Sequence, residues 1–216
     1  MMTQASIPYR RRAEFTLIFL GLPLVDWWQD AALKRWIIPQ LLLVGAVCIA
    51  VLWRDSGFDR RQLLSIPDGF SPLLRIVSVF LVGGAILLGL AAWSGEVDLF
   101  GFPRERTARW LSVLLLYPLF SALAQEVIFR VFLFHRYRTL FVTPASMISA
   151  SALVFAFAHL ILDNWLAPLL ALIGGVLFGW TYLRTRSLLL VTLEHGLWGN
   201  WLFTVGLGKY FYGGHL

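Results

Sequence analysis

Seven stretches of this chain are each about as long as a bilayer is thick, and that feature leaves few folds open. Apolar segments run at about 14–28, 36–53, 72–93, 110–135, 145–162, 165–183 and 187–207. An α-helix rises 1.5 Å per residue, so roughly 20 apolar residues cross a hydrocarbon layer of about 30 Å. A helix also satisfies its backbone N–H and C=O groups internally, which a lipid environment demands. The sequence therefore predicts an all-α fold: a polytopic transmembrane helix bundle with about seven spans. The first segment is short and contains Pro23, so it is expected to be partial or interfacial.

Composition supports this reading. Hydrophobic residues make up 59% of the chain and charged residues 14%. A soluble domain carries about 25% charged residues, and a chain this apolar cannot cover a globule with polar side chains. The net charge of +6 comes from scarce acids, with arginines gathered at the ends of apolar segments. That pattern orients membrane helices, and together with the apolar content it excludes a nucleic-acid partner. The single cysteine, Cys48, rules out an intrachain disulfide and a cysteine-rich metal site.

The length allows one integral membrane domain over 1–216, read as accessory N-terminal helices in 1–109 and a core in 110–207. Neither a repeat nor a soluble linker divides it. The clearest breaks are "DGFSP" at 68–72 and the loop at 94–106. The opening "MMTQASIPYRRRAEF" resembles the start of a signal peptide. The apolar run after it ends in "LVDWWQD" without a small-residue cleavage site, so a retained first helix is expected. With the N-terminus inside, the inner segments hold eleven Lys and Arg residues, from Arg10 to Arg186, and the outer ones six, including Lys34 and Arg35. The bias favours N-inside, C-outside. Trp27, Trp28, Trp36, Trp93, Trp110 and the C-terminal "YFYGG" fall at expected interfaces.

Three apolar segments carry groups that lipid rejects. The fourth holds Gln125, Glu126 and Arg130, the fifth His159, and the seventh Glu194, His195 and Asn200. An acid or base at a helix centre costs roughly 2.5–3.5 kcal/mol on insertion scales, so such residues are functional candidates by default. Glu126 and Arg130 are four apart and share a helix face; an internal salt bridge that lets both insert is the bland alternative. It leaves two histidines and a second glutamate in other helices unexplained. A buried carboxylate with two imidazoles is the kit for activating a water, and the same kit suits a metal. In the sixth segment, Gly175 and Gly179 at GxxxG spacing read as helix packing.

"QEVIFR" at 125–130, "FAFAH" at 155–159 and "LEHGLWGN" at 193–200 resemble the three ordered motifs of the CPBP family, EExxxR, FxxxH and HxxxN. That family includes the CAAX prenyl endopeptidases and bacterial intramembrane glutamic proteases. The resemblance covers about 110–207. It implies a four-helix catalytic core, catalytic roles for Glu126, His159 and His195, and supporting roles for Gln125, Arg130, Asn200 and Glu194. The sequence has no cysteine ligands and no HExxH pattern, so no metal and no cofactor is expected. The partners the resemblance implies are a membrane-anchored protein substrate and the lipid bilayer, and the location is the bacterial inner (cell) membrane, multi-pass. Two positions depart from the motifs. Gln125 stands at the first glutamate, which the family uses as base, so Glu126 or Glu194 must serve. Gly199 stands where HxxxN has asparagine; Asn200 is one residue late, about 100° round the helix, and is expected to need a distortion at Gly196 or Gly199 to reach the site. With "FTVGLGKYFYGG", these departures resemble a branch linked to sorting of exported proteins with C-terminal anchors, the JDVT-CTERM type. The expected function is intramembrane glutamic endopeptidase. The rival is a non-catalytic membrane scaffold or immunity protein, favoured by Gln125. A transporter is disfavoured by the absence of repeated halves.

Overall fold

The structure is a computed structural model and describes residues 9–28, 36–66 and 69–212. Lys34, Arg35, Asp68, the end of "YFYGG" and the opening residues of the N-terminal stretch lie outside the described residues. Among the described residues every regular element is helical. Helix α1 (Tyr9–Thr16) runs through a π turn (Leu17–Gly21) into α2 (Leu22–Trp28). Helices α3 (Ile37–Arg54), α4 (Ser71–Ser94) and the short α5 (Gly101–Glu105) follow. Helix α6 (Thr107–Arg136) is one helical run with two π turns, Tyr117–Ala122 and Val127–Phe132. Helix α7 (Pro144–Ala158) ends in a 3₁₀ turn (His159–Leu162), and α8 (Leu166–Thr185) and α9 (Leu188–Val205) complete the bundle.

Five of these helices are long and apolar enough to span a bilayer: α3, α4, α6, α7 with its 3₁₀ turn, and α8. The sequence reading gave about seven. The first segment is helical but short and broken by its π turn. Helix α9 is 18 residues long, and Glu194, His195 and Asn200 dilute its hydropathy. The outer surface is greasy: only 11% of the apolar window of α4 is buried, and Leu81, Val82 and Ile86 lie exposed on it. Such a surface is stable only against lipid. The chain is an integral membrane protein.

Local chemistry fixes the helix ends near the site. Thr143 and Ser146 form a capping box with Pro144 at the first helical position of α7. The Ser187 hydroxyl accepts from the Leu190 N–H at the start of α9. Gly206 ends α9 at φ +93°, where a Cβ would strike the Asp98 carbonyl and Val97.

Small residues set the helix spacing. A Cβ at Gly175 would lie 2.8 Å from the Ala152 Cα, so α7 and α8 touch backbone to backbone there. Gly179 packs on Ile148 and Gly45 on Ala124. The GxxxG pair of α8 is thus packing, as its spacing implies. The N-terminal helix docks on the end of α6: Arg136 donates to Glu14 (2.8 and 3.0 Å), and Tyr137 donates to the same carboxylate (3.1 Å).

Candidate active site

Helix α6 places its acid between its two π turns. Such turns are rare and recur at functional sites, because each shifts the phase of every side chain beyond it. Pro118, lacking an N–H, loosens the ladder in the first one. Glu126 is fully buried. Its Oε1 lies 2.7 Å from His195 Nδ1, and its Oε2 lies 3.2 Å from Arg130 Nε, one turn on. Helices α6 and α9 thus meet on a carboxylate–imidazole pair.

The His195 ring is enclosed. Phe178 stacks on it at 4.6 Å and 18°, and Phe155 meets it edge-on at 5.7 Å. Its Nε2 lies 2.9 Å from the Tyr117 hydroxyl. Arg130 donates to the Gly175 carbonyl (3.4 Å) and lies 4.3 Å over the Phe155 ring. The close approach of α7 and α8 at Gly175 is what brings that carbonyl within reach.

A second acid stands one residue from His195. Glu194 is fully buried and faces Arg75 of α4 at 3.7 Å. Arg75 donates to Thr181 Oγ1 from both amino groups (3.2 and 2.8 Å) and stacks on Trp180 at 3.8 Å. Two guanidinium groups, Arg75 and Arg130, therefore face the carboxyl groups of Glu194 and Glu126 inside the bundle. Such pairing is what makes buried ionisable groups tolerable.

His159 is placed differently. Its Nδ1 bonds the Phe155 carbonyl (2.8 Å), and Phe155 stands between it (4.7 Å) and His195 (5.7 Å). It borders a cavity of about 200 Å³ between the N-terminal helix, α3, α6 and the end of α7. Gln125 lines the same cavity, as do Ser121, Asp26 and Gln40. Consecutive residues on α6 therefore face different rooms: Glu126 the closed pair with His195, Gln125 the cavity with His159. Gln125 donates to Ser121 (2.8 Å), and Gln40 donates to both oxygens of Asp26 (2.8 and 3.0 Å).

Helix α9 is unbroken from Leu188 to Val205, and the side-chain amide of Asn200 bonds α6 rather than the Glu126–His195 pair. The expected kink at Gly196 or Gly199 is absent, and the two glycines instead admit Pro118 and Tyr117 of α6. Asn200 donates to the Leu114 carbonyl of α6 (3.0 Å) and ties the two helices together.

Sequence reasoning missed Tyr117, Arg75 and Asp26. A signal existed for the first two. The pair Tyr117-Pro118 interrupts an apolar run, and Arg75 lies inside a 24-residue helix rather than in a loop. Asp26 carried none beyond its place at the end of a short apolar segment. Among the described residues no group of three or more His, Cys, Asp or Glu is arranged to hold a metal ion.

No curated protein and no solved structure matches the chain. A family model, described as Type II CAAX prenyl endopeptidase Rce1-like, matches residues 107–201. That span runs from the start of α6 to Trp201 in α9 and includes Glu126, Arg130, His159 and His195. On that match and on the three ordered motifs, the segment 107–201 of this membrane protein is similar to the Rce1-like family of CPBP peptidases.

Proposed function

We propose that this chain is an intramembrane glutamic endopeptidase. It hydrolyses a peptide bond in a membrane-anchored protein, near a C-terminal sorting signal, as a multi-pass protein of the bacterial inner membrane. The observation that carries the reading is the 2.7 Å contact between Glu126 Oε1 and His195 Nδ1 inside the bundle. An ionised Glu126 accepts the Nδ1–H and leaves the lone pair on Nε2, which makes His195 the base. The imidazolium formed by proton uptake then sits against the carboxylate. Arg130 Nε lies against the other oxygen of Glu126 at 3.2 Å. Glu126 thus acts through His195 rather than on water directly, since it is fully buried and its one hydrogen-bonded oxygen is taken by His195. His159 and Gln125, lining the cavity, are suited to bond the peptide backbone away from the scissile carbonyl. Asn200 holds α9 in register on α6, and Glu194 faces Arg75.

A second reading, a non-catalytic scaffold on the same bundle, draws on Gln125 and on the complete burial of Glu126. Processing of an anchored substrate in membranes, at matched protein levels, separates the two. Glu126→Gln is expected to slow cleavage by roughly 10²–10⁴-fold, with Glu194→Gln far milder. Normal cleavage by Glu126→Gln with none by Glu194→Gln identifies the other carboxylate as essential. Normal cleavage by both leaves the scaffold as the better account.

A further inference from the structure

The Glu126–His195 pair is almost wholly enclosed by side chains. Glu126 is fully buried, with one oxygen on His195 and the other on Arg130. His195 has Nδ1 on Glu126, one face under Phe178 and an edge contact with Phe155. Its remaining nitrogen, Nε2, meets the Tyr117 hydroxyl at 2.9 Å. A proton reaching His195 along these contacts must pass through Tyr117.

The fold makes deliberate room for that side chain. Gly196 and Gly199 lie three apart on one face of α9. A Cβ at Gly196 would come 3.1 Å from Pro118. A Cβ at Gly199 would fall inside the Tyr117 ring, 2.6 Å from its hydroxyl oxygen. The two glycines form a trough that receives Tyr117 and Pro118, the first residues of the first π turn of α6. Trp110, one helical stretch earlier, donates to Thr204 (3.0 Å), and Asn200 bonds Leu114, so α6 and α9 are stitched along this seam. Tyr117 is also partly exposed, unlike Glu126.

The geometry points to Tyr117 as the catalytic residue that links His195 to the attacking water, a role resting on the Glu126–His195 reading above. Its oxygen accepts a proton from water as its own hydroxyl proton moves to Nε2. The O–H bond of water breaks, and the water oxygen bonds to the scissile carbonyl carbon. The phenol is regenerated, and the proton resides on the imidazolium beside Glu126. On collapse of the tetrahedral intermediate the C–N bond breaks, and the proton returns by the same path to the leaving amine. Water is the only co-reactant.

Tyr117→Phe is the discriminating variant, because it keeps the ring in its trough and removes only the hydroxyl. Cleavage of the anchored substrate is expected to fall by roughly 10²–10⁴-fold, the order given by Glu126→Gln. The double variant Glu126→Gln/Tyr117→Phe is expected to be no slower than the worse single one, as for residues that work as a unit. A second readout needs no substrate. In protein labelled with ¹⁵N-histidine, the His195 Nε2 signal is expected to move toward that of an unbonded imine nitrogen in Tyr117→Phe. Wild-type cleavage by Tyr117→Phe with Glu126→Gln inactive overturns the relay and leaves the pair standing. Wild-type cleavage by both overturns the pair itself. An Nε2 signal unchanged by Tyr117→Phe overturns the contact on which the relay depends.

Discussion

Replacing Arg130 by methionine tests whether the buried charges stabilise the bundle as a paired set. The substitution keeps much of the volume and removes one of the two positive charges that face Glu126 and Glu194. At the 3.2 Å separation of Arg130 Nε and Glu126 Oε2, an effective dielectric of about 20 gives roughly 5 kcal/mol of attraction. Desolvation opposes that attraction in the intact pair, but it does not relieve the acid left behind. Removing one partner of a buried pair costs about 3–5 kcal/mol. The bond to the Gly175 carbonyl and the contact over Phe155 are lost as well. Arg130→Met is therefore expected to destabilise by about 3–5 kcal/mol, measured by equilibrium unfolding in mixed micelles. Glu126→Gln removes the stranded charge, so the two variants are expected to couple, with the double variant less destabilised than the sum by about 2–3 kcal/mol. Arg130→Lys restores charge without the planar fork and is expected to fall between. Additivity of Glu126→Gln and Arg130→Met within about 0.5 kcal/mol refutes the pairing argument.

Two further outcomes follow from the geometry. Gly175→Ala puts a methyl group 2.8 Å from the Ala152 backbone, so it is expected to part α7 from α8 and destabilise by about 1–3 kcal/mol; an unchanged unfolding midpoint refutes the close packing. Beyond the end of α3, the bond from His135 to Asp55 (2.9 Å), followed by that from the Gly57 N–H, holds the Asp55 carboxyl below its usual range. A depressed value stabilises the fold above the ordinary aspartate pKa of about 3.9, and that stabilisation is lost as the pH falls through the depressed value. The difference in unfolding midpoint between wild type and Asp55→Asn is expected to shrink as the pH drops through that window; a difference that grows there refutes it.

The sequence alone determined the solvent. Runs of about 20 apolar residues, read against bilayer thickness, made this a membrane bundle, because hydropathy and helical rise are local properties. It also picked out Glu126, Arg130, His159, Glu194 and His195, because a charge in hydrocarbon is conspicuous wherever it points. The pairing of Glu126 with Arg130 was legible too, since four residues on one helix fix a shared face. Which charges meet across helices was decided by the tertiary structure. Glycines at 175, 196 and 199 set how near the helices come, and the π turns of α6 reset the phase of its side chains. Neither quantity can be read from a one-dimensional pattern. So Tyr117, an ordinary aromatic in an apolar run, stands on His195. Arg75, one of the eleven inner-segment Lys and Arg residues, faces Glu194 inside the bundle. His159, grouped with His195 by its motif, lies across the Phe155 ring beside Gln125. The physical reason is that contact between helices depends on crossing and register, which arise only when all the faces are packed at once.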